Sequence, residues 1–382
     1  MNQRNRKIPQ QKTMSFRFHR YALSAALLTL FSISVLSQGF KVAGKVTEVR
    51  TGLPVSLATV YINGTSVGTI TDILGNFQLD RVILPCELII SHVSYQVKHI
   101  VLMDSTQLTG LHFEMENRVI RLQEATVTHE DLHEEYLGRF KEWFLGKDYQ
   151  KQQAEILNDS VLLFHILNED QFTAEATEPL KVNLPATGYL LSVDLAHFEL
   201  KYREEMGGYH CSILGYYYFE PRRAANSREQ RMIARARAEA YYNSSKHFCK
   251  SLYHNQLLEN GYLLESFCIE KAGNESDPAT GPDFVGTYGP DDYGNTRLLL
   301  TRIECPDFRV TYHFNSRNRP VDLTYLEWNP SRIKWSGLQF LRDSVYIYPS
   351  GRIPENSILF SGSIGEKRIA YMLPEDYIPS MQ

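Results

Sequence analysis

Residues 44–79 read GKVTEVRTGLPVSLATVYINGTSVGTITDILGNFQL, and their spacing decides the fold of the first part of the chain. Thr51-Gly52, Asn63-Gly64 and Gly75-Asn76 break the stretch into runs rich in β-branched and aromatic residues. Ala58, Val60 and Ile62 alternate with Leu57, Thr59 and Tyr61, and Phe77 and Leu79 alternate with Gln78. Successive side chains of a strand point to opposite faces, so a period of two held across several short runs predicts a sheet with one buried face. The alternation resumes over 88–101 and 111–116.

The same residues carry a resemblance. Thr51-Gly52 with Pro54, Ala58-x-Val60, Gly64-Thr65 and Gly68-Thr69-x-Thr71-Asp72-x-x-Gly75-x-Phe77 form an ordered series of turn and strand positions. Leu88-x-Ile90-Ser91-x-Val93-Ser94-Tyr95 and Leu122-x-Glu124-Ala125-x-Val127 continue it. Together they resemble the carboxypeptidase regulatory-like domain found in envelope proteins of Bacteroidota. Ser94 departs from the pattern, which has glycine before the tyrosine. The resemblance implies a non-catalytic, transthyretin-like β-sandwich of about seven strands over residues 38–128, and it is no evidence for peptidase activity.

Before this domain stand Arg4, Arg6, Lys7, Lys12, Arg17 and Arg20, then an apolar run from Tyr21 to Val35 and Val35-Leu36-Ser37. That order reads as a secretory signal over residues 1–37, cut after Ser37, with a core too short to span a bilayer. Its removal leaves 34 basic against 44 acidic residues, a balance that disfavours nucleic-acid binding. The expected location is therefore exported, periplasmic or outer-membrane-associated, with no transmembrane segment in the mature chain. Five cysteines, Cys86, Cys211, Cys249, Cys268 and Cys305, are too few for a disulfide scaffold. The last four allow three full pairings that sequence does not decide.

Residues 129–155 are charged, lack proline and repeat Leu137, Phe140, Phe144 and Leu145 at helical spacing, which predicts a connecting helix. Residues 156–382 read as an α+β domain. Strands are expected over 161–166, 180–182, 189–202, 209–219, 298–303, 308–314, 321–328 and 358–371. A capping box at Ser227–Gln230 opens a helix toward Tyr242, and Ser244-Ser245 opens a second one ending at Asn260-Gly261. Residues 271–295 read as a long surface loop. The fold class is thus mainly β: a transthyretin-like antiparallel sandwich, then an α+β domain with a helical pair. Phe144-Leu145-Gly146, Ser245-x-His247-Phe248 and Arg368-x-Ala370-x-Met372-Leu373-Pro374-x-Asp376-Tyr377 also resemble segments that follow this module in Bacteroidota envelope proteins.

Several clusters suggest chemistry. His129-Glu130-x-x-His133 fits a zinc-hydrolase helix, with the glutamate as base. It lies, however, in an acidic junction with Asp131 between the histidines, where a charged linker meets the pattern by accident. Gly64-Thr65-Ser66-Val67-Gly68 matches a nucleophile elbow but sits in a hairpin with no helix behind it. Arg228, Arg231 and Arg235 fall on one helical stripe and are the candidate anion- or partner-binding residues, set against a solvated face paired to Glu229 and Glu239. Asp283, Asp291 and Asp292 could hold calcium but lack EF-hand spacing. Tyr216-Tyr217-Tyr218-Phe219 could stack on sugars, although alternate aromatics on a strand more often pack in a core. No catalytic residue, metal or cofactor is assigned. The expected role is a non-enzymatic binding or scaffolding protein of the cell envelope, with an envelope protein or glycan as partner. The alternatives are a zinc-dependent hydrolase and a glycan-binding protein.

Overall fold

A computed structural model describes residues 39–118, 130–204, 207–266, 284–290, 296–302, 307–324, 332–354 and 357–379. Residues 1–37, expected to be a secretory signal, and His129, Cys268 and Cys305 lie outside them. The chain builds the mainly β architecture expected, organised around three clusters of buried side chains.

The first cluster is the sandwich. Strands β1 (Phe40–Glu48), β2 (Thr59–Ile62), β3 (Gly68–Ile70), β4 (Asn76–Val82), β5 (Cys86–Ser91), β6 (Lys98–Leu102) and β7 (Leu111–Met115) form two sheets, ordered β4-β1-β7 and β3-β2-β5-β6. The alternating residues face each other as their period demands. Val42, Val46, Phe77, Leu79 and Phe113 come from one sheet, and Val60, Ile62, Leu88 and Ile90 from the other. One ladder, β1 with β7, is parallel. Gly75 turns with φ +77°, and a Cβ there would stand 2.3 Å from the Val46 carbonyl oxygen, so this turn requires glycine.

The second cluster joins helix α1 (Glu130–Leu145) to a six-stranded sheet. Its strands are β8 (Glu155–Ile156), β9 (Leu162–Asn168), β10 (Gln171–Ala176), β11 (Leu180–Leu184), β12 (Tyr189–Arg203) and β13 (Gly208–Pro221). Tyr136, Leu137, Phe140 and Phe144 form the apolar stripe of α1. They pack on Phe164, Phe172 and Phe198, with ring centroids 4.6–5.9 Å apart for Phe140–Phe198, Tyr136–Phe172 and Phe140–Phe164. Each buried aromatic contributes about 2–3 kcal/mol. The segment expected to connect two halves is therefore a wall of this core, and its helix stops at Leu145, ahead of Gly146 at φ +102°.

The third cluster packs α3 (Ser245–Tyr253) with β14 (Tyr262–Ser266), β16 (Thr296–Arg302), β17 (Asp307–His313), β18 (Ile333–Phe340), β19 (Ser344–Ile347) and β20 (Ile358–Phe360). Strand β15 (Phe284–Pro290) edges one of its sheets, and α2 (Ser227–Tyr241) leads into it, with Arg237 over the Tyr189 ring of β12. Its sheets are ordered β14-β17-β18-β20 and β15-β16-β19. Five expectations change here. The cap of α2 is Asn226, whose side chain accepts from the Arg228 and Glu229 amides, while Glu229 reaches back to the Ala225 amide. The box thus starts one residue earlier than read. Helix α3 ends at Tyr253 because Asn255 takes a left-handed conformation (φ 54°) well before Gly261. The expected loop 271–295 contains β15, which pairs with β16 in register Phe284↔Arg302. The strand expected over 358–371 stops at Phe360, where Gly362 (φ +63°) turns the chain into a short helix, α4 (Gly362–Gly365). Residues 321–324 are likewise not strand. Among the described residues no helix is long and apolar enough to cross a membrane.

Candidate functional site

Two constructions hold the three clusters together. The first is a seam between the sandwich and β13. The long strand β13 pairs with β12 along one edge, and an open second edge would invite association. The β2–β3 loop occupies part of that edge. The Gly64 amide donates to the Tyr217 carbonyl (2.8 Å), the Phe219 amide donates to the Thr65 carbonyl (3.1 Å), and the Tyr217 amide donates to Asn63 Oδ1 (2.9 Å). Tyr61 stacks on Tyr218 with centroids 5.2 Å apart. Gly68 makes room for that ring, since a Cβ there would lie 2.3 Å from it.

Beneath the stack lies Asp194, a carboxylate only 5% exposed. Its two oxygens accept from Tyr61 Oη (2.8 Å) and Ser91 Oγ (2.7 Å), both on the sandwich. Burial raises its pKa, and the two hydroxyls, with Arg118 and Lys181 farther off, oppose that rise. The aromatic run is thereby accounted for. Tyr216 faces His99, Tyr218 faces Tyr61 and Phe219 is buried in the core. Two of these rings are spent on the seam and one on the core, while Tyr217 lines a cavity, so the run is not an open sugar-stacking platform.

The second construction is a C-terminal strap, residues 366–377. Lys367 Nζ donates to the carbonyls of Glu239 (2.6 Å), Ala240 (3.2 Å) and Tyr242 (2.5 Å) at the end of α2. Arg368 donates to the Trp143 carbonyl (2.8 Å) in the last turn of α1, with its guanidinium over the indole. Helix C-termini leave orphan carbonyls and a partial negative charge, so two adjacent cations close two helices at once. Farther along, the Glu375 amide donates to the Gly64 carbonyl (2.7 Å). The Asp376 carboxylate accepts from the Ser66 amide (3.0 Å) and hydroxyl (2.5 Å). Ser66, the central residue of the elbow-like match, is thus a hairpin contact to the strap.

Under the strap is a cavity of about 400 Å³. Ile213 and Tyr217 of β13, Ile353, Met372 and Leu373 give it an apolar wall. Its polar end is made where α3 begins. Lys246 Nζ donates to the carbonyls of Pro374 (3.2 Å) and Glu375 (2.7 Å), and burial draws its pKa down to about 8. Gly351 (φ +85°) presses the 350–352 turn onto α3, where a Cβ would stand 2.5 Å from the Lys246 carbonyl oxygen. That approach brings Arg352 into the same lining, its guanidinium over the Tyr348 ring.

The other sequence-derived candidates scatter. His133 rests half-buried against Phe164, 5.3 Å between centroids. Its partner His129 and the three aspartates Asp283, Asp291 and Asp292 lie outside the described residues. No group of three His, Cys, Asp or Glu among the described residues could hold a metal ion. Arg228, Arg231 and Arg235 are exposed on α2, whereas Glu229 pairs with Arg222 (3.8 Å) instead of the stripe. Cys86, Cys211 and Cys249 are free thiols. Sequence reasoning missed Asp194, Lys246, Arg352, Lys367 and Arg368 as a set. Its one pointer was the resemblance carried by 245–248 and 368–377, two segments that turn out to wall the cavity.

A comparison with curated proteins finds no match to the chain. Residues 42–127 match the family model of the CarboxypepD_reg-like domain, and the sandwich that docks on β13 is a domain of that family.

Proposed function

We propose that the protein is an exported, non-enzymatic binding and scaffolding protein of the cell envelope, with the sandwich as a fixed platform. The observation that carries this reading is the seam. Asp194, Tyr61, Ser91 and the loop 63–66 direct their polar groups at each other across two folding units. Such groups orient one unit on another and are not free for chemistry. Edge strand β6, with four exposed residues, is left to meet an envelope partner. The test is fractionation of cells making the full chain, followed by in-cell crosslinking. Recovery in the envelope with a discrete partner supports the reading, and recovery in the cytoplasm without one overturns it. Metal content tests the rival hydrolase: one zinc per chain, lost in His129→Ala/His133→Ala, would replace the scaffold by an enzyme.

A glycan reading is favoured by one surface. On the outer face of β17 and β18, Trp335 is 55% exposed beside Asp307, Gln339 and Ser361 in a groove of about 530 Å³. Loss of glycan-array signal in Trp335→Ala would support it.

A further inference from the structure

The cavity beneath the strap differs from the seam in what its charges have left to do. Four cations line it, Lys246, Arg352, Lys367 and Arg368, against one acid, Glu375. Lys367 directs its ammonium at three carbonyls, and Arg368 holds the Trp143 carbonyl and indole. Lys246 has three N–H donors and gives two of them to the strap. Arg352 makes no ion pair among the described residues, and Glu375 closes one with neither Lys246 nor Arg352. Lys246, with one donor left, stands in the first turn of α3, and the 350–352 turn brings Arg352, its guanidinium over Tyr348, against that turn, where the Ser245 and Lys246 amides also point out of the helix. The rest of the wall is aliphatic and aromatic: Ile213, Tyr217, Ile353, Met372 and Leu373.

We propose that this cavity binds a single-chain anionic amphiphile, with its headgroup between Lys246 and Arg352 and its chain along Ile213, Ile353, Met372 and Leu373. The volume lies within the range of small-ligand sites, and the division into one charged end and one apolar wall fits such a ligand. A carboxylate and a phosphate monoester share the required head chemistry. A neutral head leaves the Lys246 donor and the Arg352 guanidinium unmatched, and a cationic head meets repulsion. The inference goes beyond the scaffold role, which stands whether or not the cavity is filled.

The purified full chain, stripped of co-purified lipid, is titrated calorimetrically with dodecanoate, dodecyl phosphate and dodecanol. One saturable site for dodecanoate or dodecyl phosphate, with dodecanol at least about tenfold weaker, is expected. The tighter of the two anions identifies the head. Ile353→Trp, which fills the apolar wall, should abolish binding. Arg352→Gln, at an exposed residue, should weaken the anions about tenfold and leave dodecanol unchanged. Thermal unfolding of both variants confirms that they fold. No saturable binding, equal affinity for dodecanol, or unchanged affinity in folded Ile353→Trp would each overturn the proposal. None of these results bears on envelope location or partner capture.

Discussion

Asp194 and Lys246 are both charged groups at junctions between folding units, and they are equipped differently. Asp194 is 5% exposed, and each of its carboxylate oxygens has a hydroxyl partner aimed at it from the sandwich. Lys246 is half-buried, holds two carbonyls, and keeps one donor beside Arg352, which closes no ion pair among the described residues. Charge alone therefore does not mark a site in this molecule. Unspent hydrogen-bonding capacity next to a cavity with an apolar wall does, because a buried polar network becomes rigid and specific only when all its members are satisfied.

The largest effect should come from the strap, whose cations are wholly spent. Lys367→Met leaves the carbonyls of Glu239, Ala240 and Tyr242 without their donor and should cost about 3 kcal/mol in urea unfolding. A loss under about 1 kcal/mol would mean that the strap is an ornament and that the cavity has no fixed roof.

The seam comes next. Asp194→Leu removes the acceptor for two buried hydroxyls and should cost about 2–3 kcal/mol, while Asp194→Asn keeps an acceptor and should stay within about 1 kcal/mol of the parent. The pH dependence has a definite sign. The Asp194 pKa is raised on folding, so the folded chain binds more protons than the unfolded chain between the ordinary carboxylate value and the raised one. Its contribution to stability is therefore greatest at acid pH and declines as pH rises through that window. Asp194→Asn should flatten this part of the profile. An unchanged profile would show that the carboxylate is no more buried than an ordinary surface acid.

The same contrast explains what could be read in advance. The sandwich was legible because its evidence is local: a period of two, with turn residues such as Gly75 at fixed offsets from it. Elsewhere local evidence misleads. In β18 the buried residues are Ser336, Leu338 and Phe340 while Trp335 stands exposed, so polarity does not follow the pleat. Strand β15 carries two glycines and a proline and reads as loop, yet it is an edge strand and tolerates them. Asp194 follows Ser192 on what reads as the solvent face of β12, and only the docked sandwich buries it. The cavity draws on residues 144, 213, 246, 352 and 367–375, separations at which no local periodicity operates. The arginine stripe was found correctly as a helical face, but its helix supplies the site through its last carbonyls, which no side-chain pattern announces.

The smallest effect on stability should accompany the sharpest effect on function. Lys246 faces Glu375 and Asp376 on the strap, Lys250 on its own helix, and Arg352 on the turn packed against it. Its pKa falls from 10.5 to about 8 on folding, so between those values the unfolded chain binds more protons, and its contribution to stability rises with pH. Lys367, drawn down to about 7, adds in the same sense. An anionic ligand favours the protonated Lys246, so affinity for dodecanoate should fall by about tenfold as pH rises from 7.5 to 9.5. Over that interval the unfolding midpoint should hold or rise. The two curves move in opposite directions only if the cation that the strap leaves unspent is the one the ligand uses. Parallel decline of both would instead assign Lys246 to the same purely structural class as Asp194.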